Sequence, residues 1–317
     1  MEEEANGCLS SLPRRSTTRA MELATTLVHK GAMDIGVHAV RTFAKHFRGN
    51  YRLEIHTDGS PDATDEVTLL HAANGLEARI IRPSDRRPLL DERLADFPRT
   101  RALMDGIGYF AKMELPMAAM GPYLYFDSDI VWLRPVTNLK PPKAPNAFST
   151  ESWSWYNGVA NDHLWTAAKT PRRVNSGFYY LGEPFPFQRM EEMLERGMFD
   201  PTIRYNTDQE IMAYLFCSMN LYHPDDLKRS RVRKTYDLGT LASAALHFPG
   251  QMWRSHMDQI EALESAPPKS AVAIRYQDPV PLTELELFRM RMNVRLSDSP
   301  TLGRLINRLR AIRQKFA

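Results

Sequence analysis

The sequence predicts an α/β fold in which helices flank a mostly parallel central sheet. Segments with the pattern of strands alternate with segments of helical periodicity over the first 130 residues, as is typical of a parallel sheet. The chain has 317 residues, of which 43% are hydrophobic and 25% charged, so it is long enough and apolar enough to bury a sizeable core. One apolar strand pattern ends in two carboxylates, and open α/β sheets bind ligands at such strand ends.

The first part of the chain repeats a strand and a helix in order. Residues 22–29 combine β-branched and apolar side chains and predict a strand. Residues 36–47 place apolar side chains at helical spacing, and residues 51–56 alternate as a second strand does. A helix over residues 67–73 and a third strand over residues 77–81 follow. This alternation is the reason for expecting parallel strands.

The remaining part is less regular. A helix is predicted over residues 103–120, although two glycines and a proline weaken it, and a buried strand follows over residues 123–126. The other predicted segments are an apolar run at 130–133, a proline-rich loop at 141–145, an apolar segment at 174–182, helices at 190–198 and 207–216, a strand at 244–248, and a tail boundary at Pro267–Pro268.

Composition and charge exclude several classes of protein. The net charge of +3 gives no overall field for nucleic acid, so no nucleic-acid partner is expected. Two distant cysteines, Cys8 and Cys217, form no disulfide framework and favour a reducing compartment. No apolar run approaches the length of a membrane span, and the acidic N-terminus has no signal-peptide pattern. These features predict a cytoplasmic protein.

The acid pair Asp127 and Asp129 flanks Ser128 at the end of the apolar strand. Charge near a core must be compensated, and a bound cation can compensate it. Hard oxygen ligands two residues apart suit Mg²⁺ or Mn²⁺, which also hold substrate phosphates. The alternative is a surface turn capped by aspartate, because aspartate is common in turns.

Three further segments carry polar residues in apolar surroundings. In Asn175–Ser176–Gly177, the glycine lets backbone approach a ligand, or it marks a hairpin or bulge. Asn206 or Thr207 can cap the next helix, and Asp208 favours its first turn, so a purely structural role is sufficient there. His247 lies between apolar residues and is either a core histidine or a metal ligand.

The order of these four segments resembles the GT-A glycosyltransferases, especially glycosyltransferase family 8 and related nucleotide-diphospho-sugar transferases. The resemblance spans about residues 23–254. It implies a GT-A fold and a Mn²⁺ or Mg²⁺ site formed by Asp127, Asp129 and His247. It also implies that Asp208 and Gln209 act as catalytic residues facing the reacting sugar.

The same resemblance implies a binding site for a nucleotide-sugar donor, with a UDP-sugar favoured. Lys112 stands where the family has an arginine, and the lysine that follows the family's late histidine motif is missing here. Arg254 or Lys112 is the expected substitute, because either can pair with phosphate oxygens. The implied donor-binding residues are Thr25, Thr26, Lys30, Asp58, Lys112, Ser128, Asn175, Ser176, Gly177, Gly250 and Arg254.

Composition along the chain and this resemblance together give the expected domain organisation, and the resemblance gives the expected activity. Residues 1–20 are a flexible arm, 21–135 a nucleotide-binding half, 136–266 an acceptor half, and 267–317 a tail. The expected activity is metal-dependent transfer of a sugar to a glycan, lipid-linked glycan or protein, with retention of configuration favoured by the resemblance. One alternative is a nucleotidyltransferase that makes sugar nucleotides, although residues 29–32 lack its glycine-rich phosphate loop. The other is a non-catalytic carbohydrate-binding relative, against which the four retained site residues argue.

Residues 301–317 predict a basic amphipathic helix with no acidic residue. Such a helix can lie on an anionic membrane surface, which would place the protein at the inner face of the membrane. The alternative is packing against the main domain or a second subunit. The apolar stripe consists of Leu302, Leu305, Ile306, Leu309, Ile312 and Phe316, and the basic residues are Arg304, Arg308, Arg310, Arg313 and Lys315.

Overall fold

The structure is a computed structural model that describes residues 21–106, 111–150, 174–197, 207–230, 235–280 and 283. The predicted arm at 1–20, the predicted helix at 301–317 and the possible cap Asn206 lie outside the described residues. Among the described helices, none is long and apolar enough to cross a membrane.

A central sheet of eight strands organises the fold, in the spatial order β11-β8-β6-β7-β4-β1-β2-β3. Six of its strands run in one direction, whereas β7 and β11 run antiparallel to their neighbours. The sheet is therefore mostly parallel, as predicted. Its strands are β1 (Glu22–Val28), β2 (Tyr51–Thr57), β3 (Glu77–Ile81), β4 (Tyr123–Asp127), β6 (Asn146–Thr150), β7 (Val174–Leu181), β8 (Met219–Tyr222) and β11 (Tyr276–Gln277).

Helices cover both faces of this sheet. Two helices, α1 and α2, pack on one face against Leu124 and Phe126. Five helices, α3 to α7, pack on the other face against Tyr123 and Tyr125. The described helices are α1 (Met33–Phe47), α2 (Ala63–Ala72), α3 (Pro83–Arg93), α4 (Pro98–Gly106), α5 (Ala111–Ala118), α6 (Phe187–Glu195), α7 (Thr207–Leu215) and α8 (Met257–Ser265).

The central position of β4 explains its apolar sequence. Successive side chains of a strand point to opposite faces, so a strand covered on both sides is apolar without interruption. All four residues from Tyr123 to Phe126 are buried. The Phe126 ring stacks on Phe43 of α1 at 4.7 Å, and the Tyr125 ring stacks on Tyr179 of β7 at the same distance.

A second sheet begins where β4 ends. It has three strands in the order β5-β10-β9, namely β5 (Ile130–Trp132), β10 (Ala245–His247) and β9 (Leu227–Arg229). The β5 strand runs antiparallel to β10, and β10 runs parallel to β9. Residues 127–129 therefore join the two sheets, and His247 lies at the end of the strand paired with β5.

The structure differs from the predicted elements in several places. The helix predicted over residues 103–120 is two helices, α4 and α5, with residues 107–110 outside the described part of the chain. Helices α3 and α8 and strands β6, β8, β9 and β11 were not predicted. Beyond the domain boundary expected at residue 266, β11 pairs with β8 and Ile274 is buried.

Candidate active site

The three predicted metal ligands come together at the junction of the two sheets. Asp127 ends β4, Asp129 precedes β5, and His247 ends β10. The Nε2 atom of His247 lies 3.1 Å from Oδ1 of Asp129 and 3.9 Å from Oδ2 of Asp127. One ligand atom from each of the three residues lies within 4.8 Å of the other two. We call these three residues the triad.

Two observations indicate that the triad is suited to a divalent cation. The Oδ1 atom of Asp129 is buried and lacks a hydrogen-bond partner among the described residues, although His247 is close to it. A buried carboxylate oxygen without a hydrogen bond is costly, and a cation would satisfy it. Two carboxylates and an imidazole are also a donor set that Mn²⁺ accepts, whereas Mg²⁺ prefers oxygen alone.

Gly177 of β7 packs directly against the triad. A Cβ atom at this position would lie 2.8 Å from Oδ2 of Asp127, 2.8 Å from Cε1 of His247 and 2.8 Å from Oδ1 of Asn175. Its backbone N–H donates to the same Asn175 oxygen at 2.8 Å. Glycine is therefore required here by the close approach of three side chains of the protein, whereas the approach of a ligand, suggested by the sequence, stays a prediction.

Lys112 of α5 and Tyr125 of β4 compensate the charge of Asp127. The Lys112 ammonium lies 2.8 Å from Oδ1 of Asp127, and the Tyr125 hydroxyl donates to that oxygen at 2.6 Å. Burial disfavours the charged form of Asp127, but Lys112, His247 and these hydrogen bonds outweigh it and hold the pKa of Asp127 below its usual range. Asp127 is therefore ionised at neutral pH, as a metal ligand must be.

Asp208 and Gln209 meet the Asn175–Ser176 segment, although more than 30 residues separate them in sequence. The Ser176 hydroxyl donates to Oδ2 of Asp208 at 2.5 Å, and the Asn175 amide donates to Oε1 of Gln209 at 2.8 Å. Lys112 also lies 3.5 Å from Oδ2 of Asp208 and so faces carboxylates of both segments. Asp208 is the second residue of α7, so its predicted place in the first turn is also confirmed.

Lys112 is charged because its ammonium pairs with two carboxylates, those of Asp127 and Asp208. Burial lowers the pKa of its ammonium, but Asp127 and Asp208 raise it more, so the pKa of Lys112 lies above its usual value. The ammonium also lies 5.1 Å from the centre of the Tyr125 ring. It therefore connects the triad to the acid on α7.

Two other predicted residues lie in the connections beside the triad. Ser128 is buried between the two acids of the triad. Gly250 follows β10 and adopts a φ of +69°, a left-handed conformation that favours glycine. Asp129 is hydrogen-bonded to the segment that follows β10: its backbone carbonyl accepts from the backbone N–H of Phe248 at 2.9 Å.

Five other predicted donor-binding residues make their described contacts with groups outside the triad, and their role in donor binding stays a prediction. Thr25 and Thr26 lie buried in the middle of β1, where the Thr25 hydroxyl donates to the Leu124 carbonyl at 3.3 Å. The Lys30 ammonium pairs with Asp62 of the next loop at 2.8 Å and with Asp65. The other two are Asp58, whose carboxylate accepts from Ser60 within a turn, and Arg254, which is exposed and lies 5.5 Å from the Trp253 ring centre.

Sequence reasoning missed two residues that belong to the site, Tyr125 and Arg229. Tyr125 precedes Asp127 by two positions on one strand, so the alternation of side chains could have placed it on the same face. Arg229 ends β9, and its Cα pairs in register with that of His247. It lies in a basic stretch of the sequence, which gives no signal to distinguish it from surface arginines.

No protein-family model matches the sequence, and no curated protein matches it. Solved glycosyltransferase structures do resemble its backbone. The galactosyltransferase LgtC, solved with donor and acceptor sugar analogs, is 16% identical, with 78% of this chain and 98% of that chain covered and a TM-score of 0.48. Mouse xyloside xylosyltransferase 1 is 12% identical, with 81% and 97% covered and a TM-score of 0.45.

The bifunctional glycosyltransferase WbbM is 11% identical, with 78% of this chain and 50% of that chain covered and a TM-score of 0.50. At this identity the likeness concerns the fold. The chain thus spans half of WbbM and shares its α/β fold, which confirms the GT-A type of fold class predicted from the sequence.

Proposed function

We propose that this protein is a metal-dependent glycosyltransferase that moves a sugar from a nucleotide-diphosphate sugar to an acceptor. The observation that carries the proposal is the triad of Asp127, Asp129 and His247, placed beside Asp208 where β4 ends. Ligands bind at the carboxyl ends of strands in such sheets. The donor proposed for the first test is a UDP-sugar, and the acceptor is a carbohydrate, free or carried by a lipid or protein.

The triad would hold Mn²⁺ or Mg²⁺. When bound, such an ion acts as a Lewis acid that stabilises the negative charge on a leaving diphosphate without a proton donor. The chain's part is to keep its two carboxylates ionised and close together, which Lys112 and Tyr125 do for Asp127. Because His247 ends β10, its imidazole is held by the sheet and not by a loop.

Asp208 is the residue proposed to face the reacting carbon of the sugar. Glycosyl transfer passes through a transition state with oxocarbenium character, which a fixed carboxylate stabilises. Ser176 and Lys112 orient the Asp208 carboxylate, and Asn175 orients Gln209 beside it. These contacts restrict the two side chains before any substrate binds, which lowers the cost of ordering them. The resemblance to family 8 favours retention of configuration at this carbon.

Nucleotidyl transfer is the weaker alternative. Its enzymes need a phosphate-binding loop after the first strand, whereas here a short 3₁₀ helix, Lys30–Ala32, follows β1. The one lysine in that segment is paired with Asp62 and Asp65. A purely carbohydrate-binding role is also less well supported, because a binding module has no need for a cation site beside an oriented carboxylate.

The test is turnover of UDP-sugars by the purified protein in Mn²⁺, followed as release of UDP. Asp127→Asn should abolish turnover and Mn²⁺ binding, because it removes one charged ligand, and it should also lower stability, because Lys112 loses its nearest counter-charge. Asp96→Asn makes the same change at an exposed carboxylate between α3 and α4 and should leave both intact. Full turnover in EDTA, or in Asp127→Asn, would contradict a metal-dependent transferase. The configuration of the product, read by NMR, tests retention.

A further inference from the structure

A break in strand pairing lies beside the triad, where β6 meets β7. The register of the two strands shifts between Phe148 and Ser149, so that Ser149 lies opposite Asn175. Bulges of this kind often lie next to active sites, where they turn a side chain in a new direction. In this bulge the backbone N–H of Gly177 donates to the Oδ1 atom of Asn175 at 2.8 Å.

This hydrogen bond fixes the orientation of the Asn175 amide. A backbone N–H can only donate, so the side-chain atom of Asn175 that meets Gly177 must be its oxygen. The Ser149 hydroxyl also donates to this oxygen, at 3.1 Å. The atom of Asn175 that meets Gln209 at 2.8 Å is therefore its amide nitrogen.

The orientation of the Gln209 amide follows from that of Asn175. An amide nitrogen cannot accept a hydrogen bond, so the Gln209 atom that meets it must be Oε1. The amide is planar and branched, so Nε2 of Gln209 lies on the side away from Asn175. In the described part of the chain this nitrogen donates to no other group and is not fully buried, although Gln209 as a whole is only 8% exposed.

The place of Gln209 indicates what its nitrogen would bind. Asp208 and Gln209 contact neighbouring residues of β7, Ser176 and Asn175, so the two side chains of α7 lie together. Asp208 is the carboxylate proposed to face the reacting sugar. A largely buried amide whose N–H groups have no acceptor in the protein is costly, and a substrate oxygen beside Asp208 would supply that acceptor.

We propose that Gln209 donates a hydrogen bond from Nε2 to a hydroxyl or ring oxygen of the transferred sugar. This inference rests on the proposed function. It gives the two neighbours different roles, because Gln209 offers a donor whereas Asp208 offers acceptor oxygens. Ser149 is a positioning residue, since it acts on the sugar only through Asn175 and Gln209.

Asn175→Asp should reverse the orientation of Gln209 without changing Gln209 itself. The new carboxylate still accepts from Gly177 and Ser149, but it has no N–H to give to Gln209. Gln209 must then turn its amide and donate from Nε2 to the carboxylate, which leaves Oε1 for the sugar. Two acceptor oxygens that face each other form no hydrogen bond, so the sugar should contribute at least about tenfold less to affinity.

Gln209→Glu makes the same exchange of a donor for an acceptor and still offers an oxygen to Asn175. The contribution of the sugar should again fall at least about tenfold. Mn²⁺ affinity should stay equal or rise, because the added negative charge lies near the triad. A purely structural role of Gln209 predicts a different result, namely a lower melting temperature with Mn²⁺, UDP and UDP-sugar affinities all reduced together.

Two measurements on the full chain test the proposal. Isothermal titration of Mn²⁺-saturated protein with UDP, UDP-glucose and UDP-galactose gives the ratio of UDP-sugar to UDP affinity, which isolates the sugar. NMR of ¹⁵N-labelled protein gives the rate at which the Gln209 side-chain amide exchanges with water, and this signal is assigned by its loss in Gln209→Glu. Exchange should be faster in wild type than in Asn175→Asp, where Nε2 becomes hydrogen-bonded.

Gln259→Glu is the matched control, because Oε1 of Gln259 also accepts a hydrogen bond, from the Leu238 N–H at 2.9 Å, but on α8. It should leave the affinity ratio unchanged. An unchanged ratio in Asn175→Asp or Gln209→Glu, or equal exchange of the Gln209 amide in wild type and Asn175→Asp, would overturn the proposal. Wild-type protein that shows the expected exchange but binds none of the three nucleotides would overturn the proposed donor and leave the orientation of Gln209 standing.

Discussion

Replacing Gly177 by alanine tests whether the position of β7 that packs against the triad must be occupied by a residue without a side chain. The new Cβ would lie 2.8 Å from Asn175, from Asp127 and from His247, where ordinary contacts begin at 3.4 Å. Each neighbour, or β7 itself, must therefore shift by about 0.6 Å, the difference between these two distances. Because β7 is buried over its whole length and pairs with β4 and β6, the strand has little freedom to move.

The expected cost follows from this crowding. One extra methyl group in a well-packed interior destabilises by about 1–3 kcal/mol. For a domain of this size that corresponds to a melting temperature lower by about 2–6 °C. Two of the three displaced neighbours are triad residues, so Mn²⁺ affinity should fall at least about tenfold, as it does when the supports of metal ligands are disturbed.

Thermal unfolding without metal and titration calorimetry with Mn²⁺ measure the two effects separately. The control is Gly121→Ala, where a Cβ would meet nothing within 4 Å and the backbone is not left-handed. That change should stay within about 0.5 kcal/mol of wild type and leave Mn²⁺ binding unchanged. If Gly177→Ala bound Mn²⁺ as tightly as the control, the close packing of Gly177 on the triad would not hold in solution.

Three further changes test other parts of the molecule. Asp208→Asn should lower kcat far more than it alters donor affinity, and an unchanged kcat would leave Asp208 only its place in the first turn of α7. Burial, with Lys45 adding to it, lowers the pKa of His46 to about 4, so stability should fall as the pH drops from about 6.5 towards 4, where the unfolded chain binds the proton first. His46→Gln should remove about 1–2 kcal/mol of that fall in urea unfolding, after allowance for partial exposure; an unchanged pH profile would contradict it. Deleting residues 301–317 should abolish salt-sensitive binding to anionic vesicles and spare activity on a soluble acceptor, whereas an insoluble product would show that this segment is needed for folding or assembly.

The elements of the fold that could be predicted are those whose pattern is local. The strand over residues 77–81 and the helix starting at Thr207 were predicted within a residue of their observed bounds, because apolar periodicity and turn residues mark them. Helix α3 was missed because its sequence is rich in charge and contains Pro88, and its place depends on the Arg86 side chain, which is buried against Glu114 of α5. Such a contact is invisible to local patterns.

The residues of the site also fall into those that a local sequence pattern reveals and those that it does not. Residues at strand ends, such as Asp127 and His247, could be predicted, because their chemistry conflicts with the apolar sequence around them. The pairing of Asn175 with Gln209 could not, because it depends on how β7 lies against α7. The family resemblance implied Thr25 for the donor site, which stays a prediction; its hydroxyl donates to the Leu124 carbonyl within the sheet.

The charge of Lys112 bears on how metal and nucleotide would bind together. The Lys112 ammonium lies 2.8 Å from Oδ1 of Asp127 and compensates the charge of that carboxylate. A divalent ion that arrives alone meets repulsion from Lys112, whereas an ion that arrives with a diphosphate brings negative charge that offsets this repulsion. On the proposed function, the two ligands should therefore increase each other's affinity, and by thermodynamic linkage the factor must be the same in either order. The coupling has its physical origin in Lys112, which disfavours the metal alone and favours the metal with its anion.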